Sequence, residues 1–126
     1  MKAADIPDDL RRFILTSVPS VPYLEAILLL QREHRTAWTA ALLARRLYLP
    51  DARAVDLLAN LHAAGIVADG DAQGSYTYKP EAGLAAMLER LAQLYATNLV
   101  AVTDLIHSSV DRRAFQFADA FRLRKD

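Results

Sequence analysis

The sequence predicts a mainly α-helical fold carrying one small β-hairpin, and three observations lead there. Apolar residues recur at helical spacing through most of the 126 residues. Pro19, Pro50, Gly65 and Pro80 separate those periodic runs. Two short β-type segments, Ile66-Val67-Ala68 and Tyr76-Thr77-Tyr78, flank the turn Asp69-Gly70-Asp71-Ala72-Gln73-Gly74.

The first helix is expected to open at Pro7, with Asp8 and Asp9 in the turn where the helix dipole favours acids. Leu10, Phe13 and Ile14 give it a buried side. Pro19 and Pro22 end that segment, and Ser20 is placed to cap a second helix, from about Tyr23 to Glu33, with Leu24, Ile27, Leu28 and Gln31 at helical spacing. After the connector Arg35-Thr36-Ala37, Trp38-Thr39 opens a third helix whose buried stripe is Leu43, Ala44 and Leu47. Leu49-Pro50-Asp51 breaks it. A fourth helix follows with Val55, Leu58 and Leu61 expected inward, and it stops at Gly65.

Beyond Pro80 a long helix is expected from Glu81 to about His107, roughly 40 Å at 1.5 Å per residue. Leu91, Asn98 and Leu105 repeat every seven residues, flanked by Met87, Leu88, Leu94, Tyr95, Ala101 and Val102, which is a seam of heptad type. Ser108-Ser109 is expected to break it. A last amphipathic piece carries Ala114, Phe115, Phe117, Ala118 and Phe121. The organisation along the chain is therefore 1–35 N-terminal helices, 36–80 helix pair and hairpin, and 81–126 long helix and terminal helix, all within one structural domain.

Composition narrows the function classes. Fifteen Lys and Arg balance fifteen Asp and Glu, so the chain lacks the basic excess typical of proteins that live on phosphate contacts. The absence of cysteine removes disulfides, thiolate catalysis and Cys-ligated zinc. The N-terminal segment, with Asp5, Asp8 and Asp9, has no apolar h-region, and the run Ala26–Leu30 is far short of a membrane span of about 20 residues. A cytoplasmic location with no membrane partner is the expectation.

The pattern Thr39, Leu43-Ala44, Leu47, Leu49, Val55, Leu58, Leu61 and Gly65-Ile66-Val67 resembles the winged helix-turn-helix superfamily, and MarR-type bacterial regulators most closely. The resemblance implies a winged helix-turn-helix with long C-terminal helices. It also implies a duplex-DNA-binding transcription regulator acting as a homodimer through its terminal helices. In such a module the second helix enters the major groove. Arg45, Arg46, Arg53 and Asn60, with Lys79 on the wing, are the candidate DNA contacts.

A helical wheel over Asp51–Ala64 puts Ala54, Leu57, Leu58 and Leu61 on the inner side. The opposite side carries Ala52, Asp56, Ala59 and Ala63, with Arg53, Asn60 and His62 towards its borders. Base readout needs donors and acceptors that reach, and of these only Arg53 and Asn60 qualify. The wing tip offers Asp69 and Asp71 and no base. From Thr36 to Pro80, Arg45, Arg46, Arg53 and Lys79 are matched by Asp51, Asp56, Asp69 and Asp71. That balance opens an alternative, an interaction module that docks a protein partner through Ala52, Asp56, Ala59 and Ala63 or through the aromatic tail, with no DNA role.

For dimerisation the candidates are Leu91, Asn98, Leu105, Phe117 and Phe121. A lone Asn in an apolar seam fixes register and oligomeric state, and three phenylalanines near the end need covering. A third reading places a small apolar ligand between the module and the long helix, near Trp38, Tyr95 or Tyr48, although aromatic residues at such a junction are more often plain core. Catalysis is not expected. His34, His62 and His107 lack metal-ligand spacing, and Gly70 and Gly74 are followed by no Gly-Lys-Ser/Thr. Ser108-Ser109 beside His107, near Asp104 and Asp111, does not make a triad. No cofactor and no metal are called for.

Overall fold

The computed structural model describes residues 6–109. The chain is mainly helical with one antiparallel two-stranded hairpin. Its elements are α1 (Asp8–Ser17), α2 (Val21–Arg32), α3 (Ala40–Leu47), α4 (Asp51–Ala63), β1 (Val67–Asp69), β2 (Tyr76–Tyr78) and α5 (Ala82–Thr97). A further helix, α6 (Leu99–Ser109), reaches the last described residue. The chain divides into two compact units: Pro22–Ala92, and Met1–Val21 together with Gln93–Asp126. Ala114, Phe115, Phe117, Ala118 and Phe121 lie outside the described residues. No single helix among the described residues is long and apolar enough to cross a membrane.

In the unit Pro22–Ala92, α2 is apolar nearly all round, and Tyr23, Leu24 and Ala26 to Leu30 are all buried. Trp38 follows as an isolated bridge to Tyr76, with Trp38 N–H donating to the Tyr76 carbonyl at 2.7 Å and Tyr76 N–H returning to Trp38 at 2.8 Å. Thr39 then caps α3, its hydroxyl accepting from Leu42 N–H at 3.2 Å.

Both helices of the following pair end on a left-handed residue. After α3, Tyr48 adopts the left-handed conformation at φ 57°, and Leu49 N–H reaches the Ala44 carbonyl at 2.9 Å. After α4, Gly65 takes φ 78°, Ile66 N–H reaches Leu61 at 3.0 Å and Gly65 N–H reaches His62 at 3.0 Å. The α4 end is the full Schellman closure and the α3 end shares its longer bond, which satisfies carbonyls that a helix end leaves open.

The hairpin pairs Val67 with Tyr78, Ala68 with Thr77 and Asp69 with Tyr76. Its loop is tight: Gly70 N–H donates to Ser75 at 2.8 Å, and a Cβ on Gly70 would run into the Ser75 hydroxyl. Glu81 caps α5 through Oε1, which accepts from Leu84 N–H at 2.9 Å.

In the other unit, α1 buries Leu10 and Ile14, while α6 buries Ala101, Val102 and Ile106. The Ser109 hydroxyl donates to the Leu15 carbonyl at 3.2 Å, tying α6 to α1. The expected 81–107 helix is interrupted at Asn98. Backbone bonds persist across the break, from Asn98 N–H to Leu94 at 2.8 Å and from Val102 N–H to Asn98 at 3.2 Å. The Thr97 hydroxyl beside the break donates back to the Gln93 and Leu94 carbonyls at 3.2 and 3.3 Å. The break expected at Ser108-Ser109 does not occur, since both residues continue α6.

Candidate functional site

α4 is half embedded and half presented. Ala54, Leu57, Leu58 and Leu61 are buried, as the wheel requires, and their partner surface includes α3. Val55 does not join them: it is 53% exposed, because 100° per residue carries it off the Ala54–Leu58–Leu61 face. The outward side therefore combines Ala52, Arg53, Val55, Asp56, Ala59, Asn60 and Ala63, all exposed.

The four candidate cations have different environments. Arg45 and Arg53 are exposed and make no ion pair among the described residues. Arg46 is engaged. Its Nη1 donates to Glu33 Oε1 at 2.8 Å, its Nη2 meets the other carboxylate oxygen, and its guanidinium lies 5.8 Å from the Trp38 ring centroid. The hydrogen bond with Arg46 holds the Glu33 carboxyl below its usual range, and the same bond raises the Arg46 guanidinium. Lys79 sits at the base of the hairpin and not at its tip, with its N–H bonded to the Ile66 carbonyl at 3.0 Å.

Asp69 at the end of β1 meets His62 Nε2 at 3.4 Å, and the His62 ring packs edge-on to Tyr76 at 5.6 Å. One acid of the hairpin thus lies against α4, while Asp71 stays exposed in the loop. Among the described residues no three His, Asp or Glu side chains gather into a group able to hold a metal ion.

The heptad candidates separate in the same way. Leu91 is fully buried and Asn98 only 7% exposed within one chain, whereas Leu105 is half-buried. The Asn98 Nδ2 is buried without a hydrogen-bond partner. The neighbouring apolar side chains that face outward are Leu99 and Val100. Phe117 and Phe121 lie outside the described residues.

Of the residues expected around an apolar ligand, Trp38 is fully buried, with its indole N–H directed at the Glu33 carbonyl at 3.4 Å. Tyr48 is 93% exposed in the turn between α3 and α4. Sequence reasoning missed Tyr48 as a surface feature. The available signal was the helix break itself: Leu49-Pro50 ends α3 with no glycine or asparagine at the left-handed position. A groove of about 660 Å³ does open in this unit, but its walls are the end of α2, the hairpin base and α5, and it includes none of Trp38, Tyr48 or Tyr95.

Comparison with protein-family models, with curated proteins and with solved structures returns no match to this chain.

Proposed function

We propose that the unit Pro22–Ala92 is a winged helix-turn-helix module and that the chain is a non-enzymatic, MarR-like transcription regulator that binds duplex DNA as a homodimer. The order α2, Trp38 bridge, α3, turn, α4 and hairpin supports the module. The observation that carries the DNA reading is the outward half of α4, where Arg53 and Asn60 stand exposed, together with Arg45 on α3. Arg53 and Asn60 are the side chains on that helix able to hydrogen-bond base edges. Arg46 is left out of this contact set because Glu33 and Trp38 already hold it.

With Arg45 and Arg53 as the cations of this contact set in each protomer, few counterions are released. A dimer is expected to show a log–log salt slope of about −4. Titration of a random duplex at low salt, followed by anisotropy, is expected to give micromolar binding that Arg53→Ala weakens. No binding at low salt removes the regulator reading. The dimer uses the outward side of α6, where Leu99 and Val100 are exposed, because Leu91 and Asn98 are covered within their own chain. Val100→Asp is then expected to shift sedimentation to the monomer, and an unchanged sedimentation coefficient overturns that face.

A second reading rests on a specific observation. Tyr48 and Val55 are both exposed, and Ala52, Ala59 and Asp56 contribute no donor to a phosphate or a base edge. That chemistry suits a protein partner better than a groove of DNA. Loss of duplex binding in all salt conditions, with the fold intact, is the result that selects it.

A further inference from the structure

We propose that the groove at the base of the hairpin binds a small phosphate monoester, an assignment that does not depend on whether α4 contacts DNA. The groove measures about 660 Å³, within the range of small-molecule sites. Its floor is fixed by the fold. Tyr78 is held in register opposite Val67, its ring is half-buried, and Gln31 lines the groove beside it. Pro80 and Ala85 supply further apolar wall.

The rim supplies the charge. Arg32, His34 and Lys79 line the groove, all exposed and none in an ion pair among the described residues. Glu33, which lies between two of them in sequence, is drawn away to Arg46. Glu89 is the one carboxylate lining the groove. In a chain whose fifteen cations balance fifteen anions, this is a local concentration of available donors.

Three donor-bearing groups around one concavity match a group with three acceptor oxygens and a charge of about −1.5 to −2, which a phosphate monoester has and a carboxylate lacks. Arg32 gives a forked guanidinium contact and Lys79 a point charge. The Tyr78 ring and Pro80 meet the body of the ligand. Glu89, on α5 in the same lining, disfavours a continuous polyanion running through the groove, which separates this site from a nucleic-acid backbone contact.

The test uses the full chain, isotope-labelled, titrated with inorganic phosphate and with phenyl phosphate, against acetate at matched ionic strength. Phenyl phosphate is expected to bind more tightly than inorganic phosphate, with shifts confined to residues 31–34, 78–80 and 85–89. Arg32→Ala and Lys79→Ala are each expected to weaken it about tenfold, the value of one charge-assisted hydrogen bond. Glu89→Gln strengthens it several-fold, and Arg12→Ala, on α1, leaves it unchanged. Equal shifts with acetate overturn the proposal, as does binding insensitive to both Arg32→Ala and Lys79→Ala. Saturation of the same residues by a short duplex, with phenyl phosphate unable to compete, overturns it in favour of a nucleic-acid contact. All four substituted positions are exposed, so circular dichroism of each variant separates lost binding from lost fold.

Discussion

The ends of α3 and α4 close with the same left-handed backbone turn but with opposite residues. At the α4 end, Gly65 occupies the left-handed position, and Ile66 and Leu61 on either side of the closure are both buried. At the α3 end, the left-handed residue is Tyr48, whose side chain is 93% exposed, and the flanking pair is buried Ala44 with half-buried Leu49. Glycine meets the positive φ without steric conflict, whereas an L side chain there costs about 1–2 kcal/mol. Packing does not repay that cost at Tyr48, because almost none of the ring is covered. Gly65 therefore suits its closure, whereas Tyr48 holds the same backbone region with no burial to offset the strain.

The largest expected effect lies at the α4 closure. Leu61→Ala removes a fully buried side chain and is expected to cost about 2–5 kcal/mol in denaturant unfolding. A loss below that range means the closure is less central than its burial indicates. Gly65→Ala comes next. A Cβ there meets nothing within 4 Å, so the cost is purely conformational, about 1 kcal/mol after the stiffer unfolded chain is credited. Tyr48→Gly is expected to move the other way, raising stability by about 0.5–1 kcal/mol. Denaturant unfolding checks the sign, and a destabilised variant overturns the assignment of strain to Tyr48.

The smallest effect concerns Arg46, which in the last turn of α3 anchors that end to Glu33. The Glu33 carboxyl is held below its usual range, chiefly by the hydrogen bond from Arg46. Its contribution is therefore present above the ordinary carboxylate pKa and is lost as pH falls through the depressed folded-state value. Glu33→Gln is expected to flatten the acid limb of the stability curve slightly, since both side chains are more than a third exposed and solvent screens the pair. An acid limb identical to the parent's shows the pair to be energetically silent.

Much of the architecture was legible in the sequence because its signals are local. Thr39 before a periodic run, Pro50 after one, and Gly65 ahead of a β-type segment mark boundaries that the helices and hairpin follow. Val55 was misplaced by counting it with Leu58 and Leu61, although the 100° step favours Ala54. The break at Asn98 stayed hidden because a seven-residue repeat runs through it. The site was less legible. Nothing local links Arg46 to Glu33, thirteen positions apart, so a cation assigned to the surface is held in place by a partner. The groove joins residues 31–34 to 78–89, which only the folded chain brings together.

The two reciprocal bonds between Trp38 and Tyr76 have a mechanical consequence. They clamp the hairpin to the residue immediately before the Thr39 cap, so a force that tilts the strands is delivered to the start of α3. The amides of Trp38 and Tyr76 should then exchange with deuterium as one cooperative unit.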